Sequence, residues 1–177
     1  MGALVPLGLV TALLLSLAGA QKLLDPSMTV GALRALRLPA SDGLVRLGSA
    51  VELALGVAAI VAGGASLWGA VAVSYLAFAL FVVAALRRGT MIGSCGCFGR
   101  EETPPHWSHV VLNGALATAA GAMAWWETGS VLDALVGSPT TSAVVLPLGA
   151  LALVLLQAAY VDLPRTLLAG RRIRGAT

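Results

Sequence analysis

Charged residues are scarce in this sequence. Only 11% of the 177 residues are charged and 58% are hydrophobic, whereas soluble domains carry about 25% charged residues. So few charged side chains cannot give a globule of this size a polar surface. The apolar residues are also grouped in runs of about 20, the length that crosses ~30 Å of hydrocarbon as a helix. The composition therefore excludes a soluble globular protein and indicates an integral membrane protein.

The alternating apolar and polar pattern of outer-membrane β-barrels is also missing. Because backbone polar groups in lipid must be satisfied internally, we predict an all-α, polytopic transmembrane helical bundle. About five spans are predicted, near residues 3–20, 47–62, 67–86, 109–126 and 142–161. A short interfacial helix is predicted after the first span, because Val30 and Leu33 share one face while Arg34 and Arg37 lie on the other.

Basic residues are distributed on one side of this topology. All eleven lie between spans one and two, between spans three and four, or after span five: Lys22, Arg34, Arg37, Arg46, Arg87, Arg88, Arg100, Arg165, Arg171, Arg172 and Arg174. The positive-inside rule then predicts that the amino terminus is outside and the carboxy terminus is in the cytoplasm. The richness in Ala, Gly, Val and Leu, with far more Arg than Lys, indicates a bacterial inner membrane. Residues 1–162 form the transmembrane domain, and residues 163–177 form a basic cytoplasmic tail. The net charge of +3 is explained by topology and anionic lipid, without nucleic acid as a partner.

The two cysteines, Cys95 and Cys97, stand together in the polar segment between spans three and four. The sequence has no Walker loop, no dinucleotide-binding glycine pattern and no HExxH motif. A disulfide between Cys95 and Cys97 would close a very small, strained ring, which suits exchange better than a structural role. Arg87 and Arg88 would favour the reactive thiolates. The first hypothesis is therefore a redox pair.

Two alternatives stay open at this level. Cys95, Cys97, His106 and His109 form the pattern C-x-C-x8-H-x2-H, a set that could bind zinc or a softer metal, although the spacing differs from common zinc fingers. The segment could also be a glycine-rich turn with two reduced cysteines. The chain is thus either a thiol-disulfide oxidoreductase or a non-enzymatic membrane subunit whose Cys/His or structural loop scaffolds a partner.

Glu52 is a carboxylate inside a predicted span, which is a functional hypothesis by default. It either serves a proton or hydrogen-bond relay, or is protonated or paired with Arg46, Arg87 or Arg88. Asn113 in span four could bond to Glu52, clamp the cysteine loop or hold helices together. Tryptophans at span ends are predicted to be interfacial anchors, beside which a quinone could stack: Trp68, Trp107, Trp125 and Trp126.

An ordered set of short motifs runs along the chain. Residues 21–26 read Q-K-L-L-D-P, Leu38-Pro39 follows, and Glu52 precedes Leu55-Gly56. Residues 95–99 read C-G-C-F-G, and Asn113 follows in the fourth span. This set resembles the methylamine utilisation protein MauE family, within the wider DoxX-like membrane proteins, over about residues 5–160.

The resemblance implies a helical bundle that supports disulfide formation or redox maturation of exported proteins. It implies that Cys95 and Cys97 are the redox pair and that the partner is a thioredoxin-like or maturing substrate protein. Other motif positions have no role assigned by the resemblance: Lys22, Asp25, Pro26, Glu52 and Asn113. A factor for exported proteins would present its cysteines to the periplasm, whereas the charge distribution predicts the cytoplasm. The direction of electron flow therefore stays open.

Overall fold

The computed structural model describes residues 4–88 and 105–174, and all regular structure in these two ranges is helical. Seven helices follow one another: α1 (Val5–Leu24), α2 (Ser27–Ala35), α3 (Asp42–Val61), α4 (Ala65–Arg88), α5 (Trp107–Trp125), α6 (Val131–Val136) and α7 (Pro139–Arg174). The all-α prediction is confirmed. Cys95 and Cys97 lie outside the described residues.

Four helices are long and apolar enough to cross a membrane: α1, α3, α4 and the Pro139–Pro164 part of α7. Helix α5 has 19 residues, about 28 Å, and is less apolar because it contains His109 and Asn113. It packs along α4 and also contacts α1 and α7, so it runs between the same two ends as these helices. The polytopic helical bundle is confirmed with four candidate spans, and α5, which was predicted as a further span, lies alongside them.

One end of the bundle, called the basic end here, contains the carboxyl ends of α1 and α4 and the amino ends of α3 and α5. Arg46 Nη1 donates to the Leu23 carbonyl at 2.7 Å, and Arg88 Nη1 donates to the Leu36 carbonyl. Both arginines therefore donate hydrogen bonds to backbone carbonyls at the carboxyl ends of helices, where positive charge is favoured. Tyr160 of α7 also lies near this end, because its carbonyl oxygen is 3.0 Å from His109 Nε2.

At the opposite end, a tight turn joins α3 to α4. Gly63 and Gly64 have φ angles of 63° and 90°, which glycine adopts without steric cost. The Gly64 amide donates to the Thr128 carbonyl at 2.9 Å, and a Cβ on Gly63 would lie 2.7 Å from the Ser130 nitrogen. The turn is thus fixed against the segment that joins α5 to α6.

The short helix predicted after the first span is α2. Asp25 Oδ1 accepts from the Ser27 amide at 3.1 Å and from the Ser27 hydroxyl at 2.6 Å, which starts the helix after Pro26. Ala32 and Leu36 are buried in a small cluster with Ala85 of α4. These contacts dock α2 against the basic end of α4.

Several predicted boundaries move. Helix α1 continues four residues beyond residue 20, so Lys22 is helical. Helix α3 begins at Asp42, after a Ser41 side chain that accepts from the Leu44 amide at 3.2 Å. Because α7 continues to Arg174, the domain boundary predicted at residue 162 falls inside a helix.

The prediction that Trp68 is an interfacial anchor is wrong, because its side chain is fully buried. Glycine at position 8 leaves room for the indole: a Cβ there would lie 3.2 Å from Trp68 Cη2. Among the described residues, Trp68 Nε1 has no hydrogen-bond partner. The other three tryptophans, Trp107, Trp125 and Trp126, are exposed as predicted.

Candidate functional site

A buried ion pair joins α1 to α3 near the basic end. Lys22, the one lysine of the chain, directs its Nζ to Glu52 Oε2. The side chains are 5% and 18% exposed, respectively. Lys22 Nζ also lies 4.6 Å from the centre of the Phe78 ring of α4, a cation–π distance. The pair therefore draws three helices together around one ammonium group.

Of the alternatives left open for Glu52, a pair with Arg46, Arg87 or Arg88 is not found in the described structure, where Glu52 pairs with Lys22. Arg46 and Arg88 are held by the Leu23 and Leu36 carbonyls, and Arg87 is exposed. Helix α1 extends far enough to bring Lys22 into contact with Glu52, whereas the arginines lie at the helix ends. A carboxylate inside a membrane protein requires a partner, and the extra turn of α1 supplies it.

A cavity of about 290 Å³ opens beside this pair. Its walls come from α1, α2, α3 and α4, and its polar part consists of Lys22, Glu52, Ser49 and Thr29. Its apolar wall includes the rings of Phe78 and Phe81. Ser49 is 2% exposed and its hydroxyl donates to the Val45 carbonyl at 2.7 Å. An ion pair at the wall of a cavity can meet a ligand, which an ion pair in a filled core cannot.

Asn113 makes a hydrogen bond within its own helix. Its Nδ2 donates to the His109 carbonyl one turn earlier in α5, at 2.8 Å, and it is buried. With Tyr75 and Tyr160 it lines a second, much smaller cavity of about 20 Å³, the size of one water molecule. Phe78 lines both cavities. In the described structure Asn113 thus bonds within α5, and Glu52 is held by Lys22.

His109 repairs a helix interrupted by proline. Pro164, inside α7, has no N–H, so the Tyr160 carbonyl four residues earlier loses its helical partner. His109 Nε2 lies 3.0 Å from that carbonyl oxygen. His109 Nδ1 accepts from the His106 amide at 3.2 Å, so the proton is on Nε2, which donates to Tyr160. Both ring nitrogens of His109 are therefore occupied by backbone groups.

This arrangement predicts a specific coupling between His109 and Pro164. We expect His109→Ala to lower the free energy of unfolding by about 0.5–1.5 kcal/mol, because it removes the hydrogen bond between His109 Nε2 and the buried Tyr160 carbonyl. Pro164→Ala restores an N–H for that carbonyl, so the same His109→Ala change should cost less in the Pro164→Ala background. A double-mutant cycle of unfolding in detergent measures the difference.

Pro147 provides the matched control, because it is the other proline inside α7. His109→Ala should cost the same with and without Pro147→Ala. An equal cost of His109→Ala in the wild-type and Pro164→Ala backgrounds would show that His109 does not serve the Tyr160 carbonyl.

The geometry bears on the metal hypothesis as well. His106 Nδ1 accepts from the Ser108 amide at 3.1 Å as the cap of α5, and His109 uses both nitrogens in backbone bonds. Among the described residues, no cluster of three or more histidines, cysteines or acidic residues could hold a metal ion. A metal held by His109 would have to displace one of its two backbone partners.

Arg88 and Pro105 flank the segment that carries Cys95 and Cys97. Arg88 is bonded to the end of α2, and Pro105 directly precedes the His106 cap of α5. Both flanking residues are therefore at the basic end, where Lys22 lies two residues before the carboxyl end of α1; Glu52 lies deeper, at the middle of α3. The cysteines themselves lie outside the described residues.

Comparison with known families decides the classification. The family model described as methylamine utilisation protein MauE matches residues 2–126. The chain belongs to the MauE family. No curated protein and no solved structure matches the chain. The match spans α1 to α5 and includes the ion pair, the cavity and both cysteines.

The structure gives several of the family-like motif positions a physical role. Asp25 starts α2, Lys22 pairs with Glu52, and Gly56 lies against the backbone of α1, where a Cβ would be 2.6 Å from the Ala12 carbonyl oxygen. Asp25 and Lys22 lie at the basic end, whereas Glu52 and Gly56 lie deeper along α3, so these positions hold α1, α2 and α3 together from the basic end to the middle of the bundle.

Sequence reasoning missed four residues of this region: Ser49, Phe78, Phe81 and Tyr160. Ser49 could have been predicted, because it lies three residues before Glu52 and thus on the same helix face. The two phenylalanines carry no such signal, since an aromatic residue in an apolar span looks the same whether it faces lipid or a cavity. The Tyr160 carbonyl could have been predicted to need a side-chain donor, because Pro164, four residues later, has no N–H to donate to it.

Proposed function

We propose that this membrane protein exchanges disulfides with a partner protein through Cys95 and Cys97. Membership of the MauE family and the presence of both cysteines within the matched region support the proposal. The observation that carries it is the position of Arg88 and Pro105. These two residues flank the segment that carries the cysteines in the chain, and Arg88 lies at the basic end, where Lys22 and Asp25 stand at the carboxyl end of α1.

The chemistry requires only the two thiols and a partner disulfide. One cysteine thiolate attacks a sulfur of the partner disulfide, a mixed disulfide forms, and one partner thiolate leaves. The second cysteine then attacks the mixed disulfide, which releases the other partner thiolate and closes the Cys95–Cys97 bond. Two electrons pass from this protein to the partner, and the reverse sequence oxidises the partner. A thioredoxin-like protein or a maturing substrate fits this role.

The proposal includes an orientation. Because the basic residues of the described helices lie toward one end, we assign that end to the cytoplasm of a bacterial cell and the amino terminus to the periplasm. Labelling Cys95 and Cys97 in intact cells with a membrane-impermeant thiol reagent, before and after reduction, tests this. Protection from the reagent in intact cells and reaction after permeabilisation are expected. Labelling without permeabilisation would reverse the orientation.

Trapping tests the chemistry. In cells that carry Cys95→Ser or Cys97→Ser, one of the two variants should accumulate a mixed disulfide with a partner, visible as a band that disappears on reduction. The Cys95→Ser/Cys97→Ser double variant is the control and should show no band. If neither single variant traps a partner and the double variant retains full function, thiol exchange is rejected. One equivalent of bound zinc with unreactive thiols would instead support the metal-binding subunit.

A further inference from the structure

The cavity beside the Lys22–Glu52 pair opens sideways, between α3 and α4. Its outer rim includes Leu44, Gly48 and Ala77, all exposed, whereas Lys22 and Ser49 on the inner wall are buried. Helices α3 and α4 are both candidate membrane spans. A gap between their exposed faces therefore leads to the hydrocarbon of the bilayer, so the cavity is accessible to molecules dissolved in lipid.

The depth of the cavity agrees with this route. Gly48 lies six residues after the start of α3, about 9 Å along the helix, and Ala77 lies 11 residues before the end of α4, about 16 Å. The opening thus extends from the basic end toward the middle of the spans. A ligand that enters there needs an apolar tail that remains in the bilayer and a polar group that reaches the ion pair.

The charges of Lys22 and Glu52 in the cavity wall favour a ligand whose polar group is neutral. Lys22 and Glu52 together carry no net charge, so an anionic headgroup would be repelled by Glu52 and a cationic one by Lys22. An ammonium group has three N–H donors, and among the described residues its one polar partner is the Glu52 carboxylate. The remaining donors can bond to a carbonyl oxygen, and the carboxylate can accept from a hydroxyl group.

The apolar wall selects a flat ring. Phe78 and Phe81 offer two aromatic surfaces, and aromatic rings stack on one another at favourable offsets. The volume of about 290 Å³ is at the lower end of the range of about 300–1,000 Å³ that is usual for ligand pockets. It suits one substituted ring better than the headgroup and two acyl chains of a phospholipid.

From these observations we propose that the cavity binds the ring of a lipid-soluble quinone or quinol, with its carbonyl or hydroxyl group at Lys22 and Glu52. This ligand site goes beyond the thiol exchange proposed above, and binding does not require Cys95 or Cys97. It also differs from the tryptophan anchors, beside which the sequence only allowed that a quinone could stack. Trp68 is buried in the core, and none of the four tryptophans lines this cavity.

Photolabelling of the purified full chain in phosphatidylcholine nanodiscs tests the proposal. The probe is a short-chain azidoquinone, with decylubiquinone as competitor and mass spectrometry to locate the labelled peptides. Saturable labelling of α3 and α4 peptides is expected, and decylubiquinone should abolish it. The Cys95→Ser/Cys97→Ser variant should label as strongly as the wild type, so failure of thiol exchange and failure of quinone binding are separable.

Gly48→Leu is the decisive variant. A Cβ on Gly48 would meet nothing within 4 Å, so leucine occupies the rim of the cavity without a backbone clash. We expect the apparent affinity for decylubiquinone to fall at least about tenfold. Ala77→Phe narrows the opposite rim and should act in the same direction. Gly69→Leu is the matched control, because Gly69 also has open space but does not line the cavity.

Two outcomes would overturn the proposal. The first is labelling that never saturates and is equal in the wild type and Gly48→Leu, which indicates simple partition into lipid. The second is saturable labelling that oleate displaces and decylubiquinone does not, which indicates a fatty-acyl site.

Discussion

Glu52→Gln is expected to lower the free energy of unfolding by about 3–5 kcal/mol, because it leaves the Lys22 ammonium buried without its counter-charge. Lys22→Met should have a similar effect, since it leaves Glu52 unpaired inside the bundle. The double variant Lys22→Met/Glu52→Gln should recover most of the loss, because replacement of both charges removes the desolvation cost together with the attraction. Reversible unfolding of the purified protein by titration with a denaturing detergent measures all three.

Arg34→Gln is the matched control for this cycle. It also removes one positive charge at the basic end, but Arg34 is exposed, so its effect should stay within about 0.5 kcal/mol. If the costs of Lys22→Met and Glu52→Gln simply add in the double variant, the two residues do not act as a pair. The cycle would then assign the burial of Lys22 to another cause.

Gly56→Ala is expected to have the second large effect on stability. A Cβ at this position would lie 2.6 Å from the Ala12 carbonyl oxygen and 3.1 Å from the Ser16 nitrogen. Neither backbone atom can move without shifting α1, so the added methyl group forces α1 and α3 apart. Overpacking of this kind costs about 1–3 kcal/mol. Gly19→Ala should behave alike, since its Cβ would lie 2.7 Å from the Ser49 carbonyl oxygen.

Gly48→Ala gives the opposite sign in the same helix. Its Cβ would meet nothing within 4 Å, and alanine in a helix interior is favoured over glycine by about 0.5–1 kcal/mol. Thermal unfolding in one detergent should therefore rank Gly48→Ala at or above the wild type and Gly56→Ala below it. Equal stability of the two variants would show that α1 and α3 do not meet at Gly56.

The close contact of α1 with α3 that stabilises the bundle also brings the residues of the candidate site together. Gly19 brings α1 against α3 at the level of Glu52, where a Cβ on Gly19 would lie 3.1 Å from Glu52 Cβ, and Gly56 does so one turn further along α3. This close approach places Lys22 within reach of the carboxylate. At these two positions the absence of a side chain lets α1 and α3 of the same chain pack closely, as small residues do in membrane helix bundles. A scaffolding function that used the same faces to hold a partner would have to displace α1.

The membrane class and the helices follow from the sequence alone. Long apolar runs with few charges have no stable form in water, and the absence of dyad alternation leaves helices as the way to satisfy the backbone in lipid. The one-sided distribution of arginines also follows from the order of spans, and the Arg46 and Arg88 contacts agree with it. The MauE family was identifiable from short motifs, because these contain the few polar and glycine positions that the bundle requires.

Only the tertiary structure decided which helix faces meet. In a membrane protein, lipid-facing and core-facing positions are both apolar: Val73 and Leu80 of α4 are exposed, whereas Val71 and Val82 of the same helix are fully buried. Hydrophobic periodicity therefore did not reveal that Trp68 is internal, that Glu52 meets Lys22, or that a cavity separates α3 from α4. These features depend on contacts between segments that are distant in the chain. The free energy of the Lys22–Glu52 ion pair or of the His109–Tyr160 hydrogen bond depends on the distance between the two groups in space, which the spacing of residues in the sequence does not give.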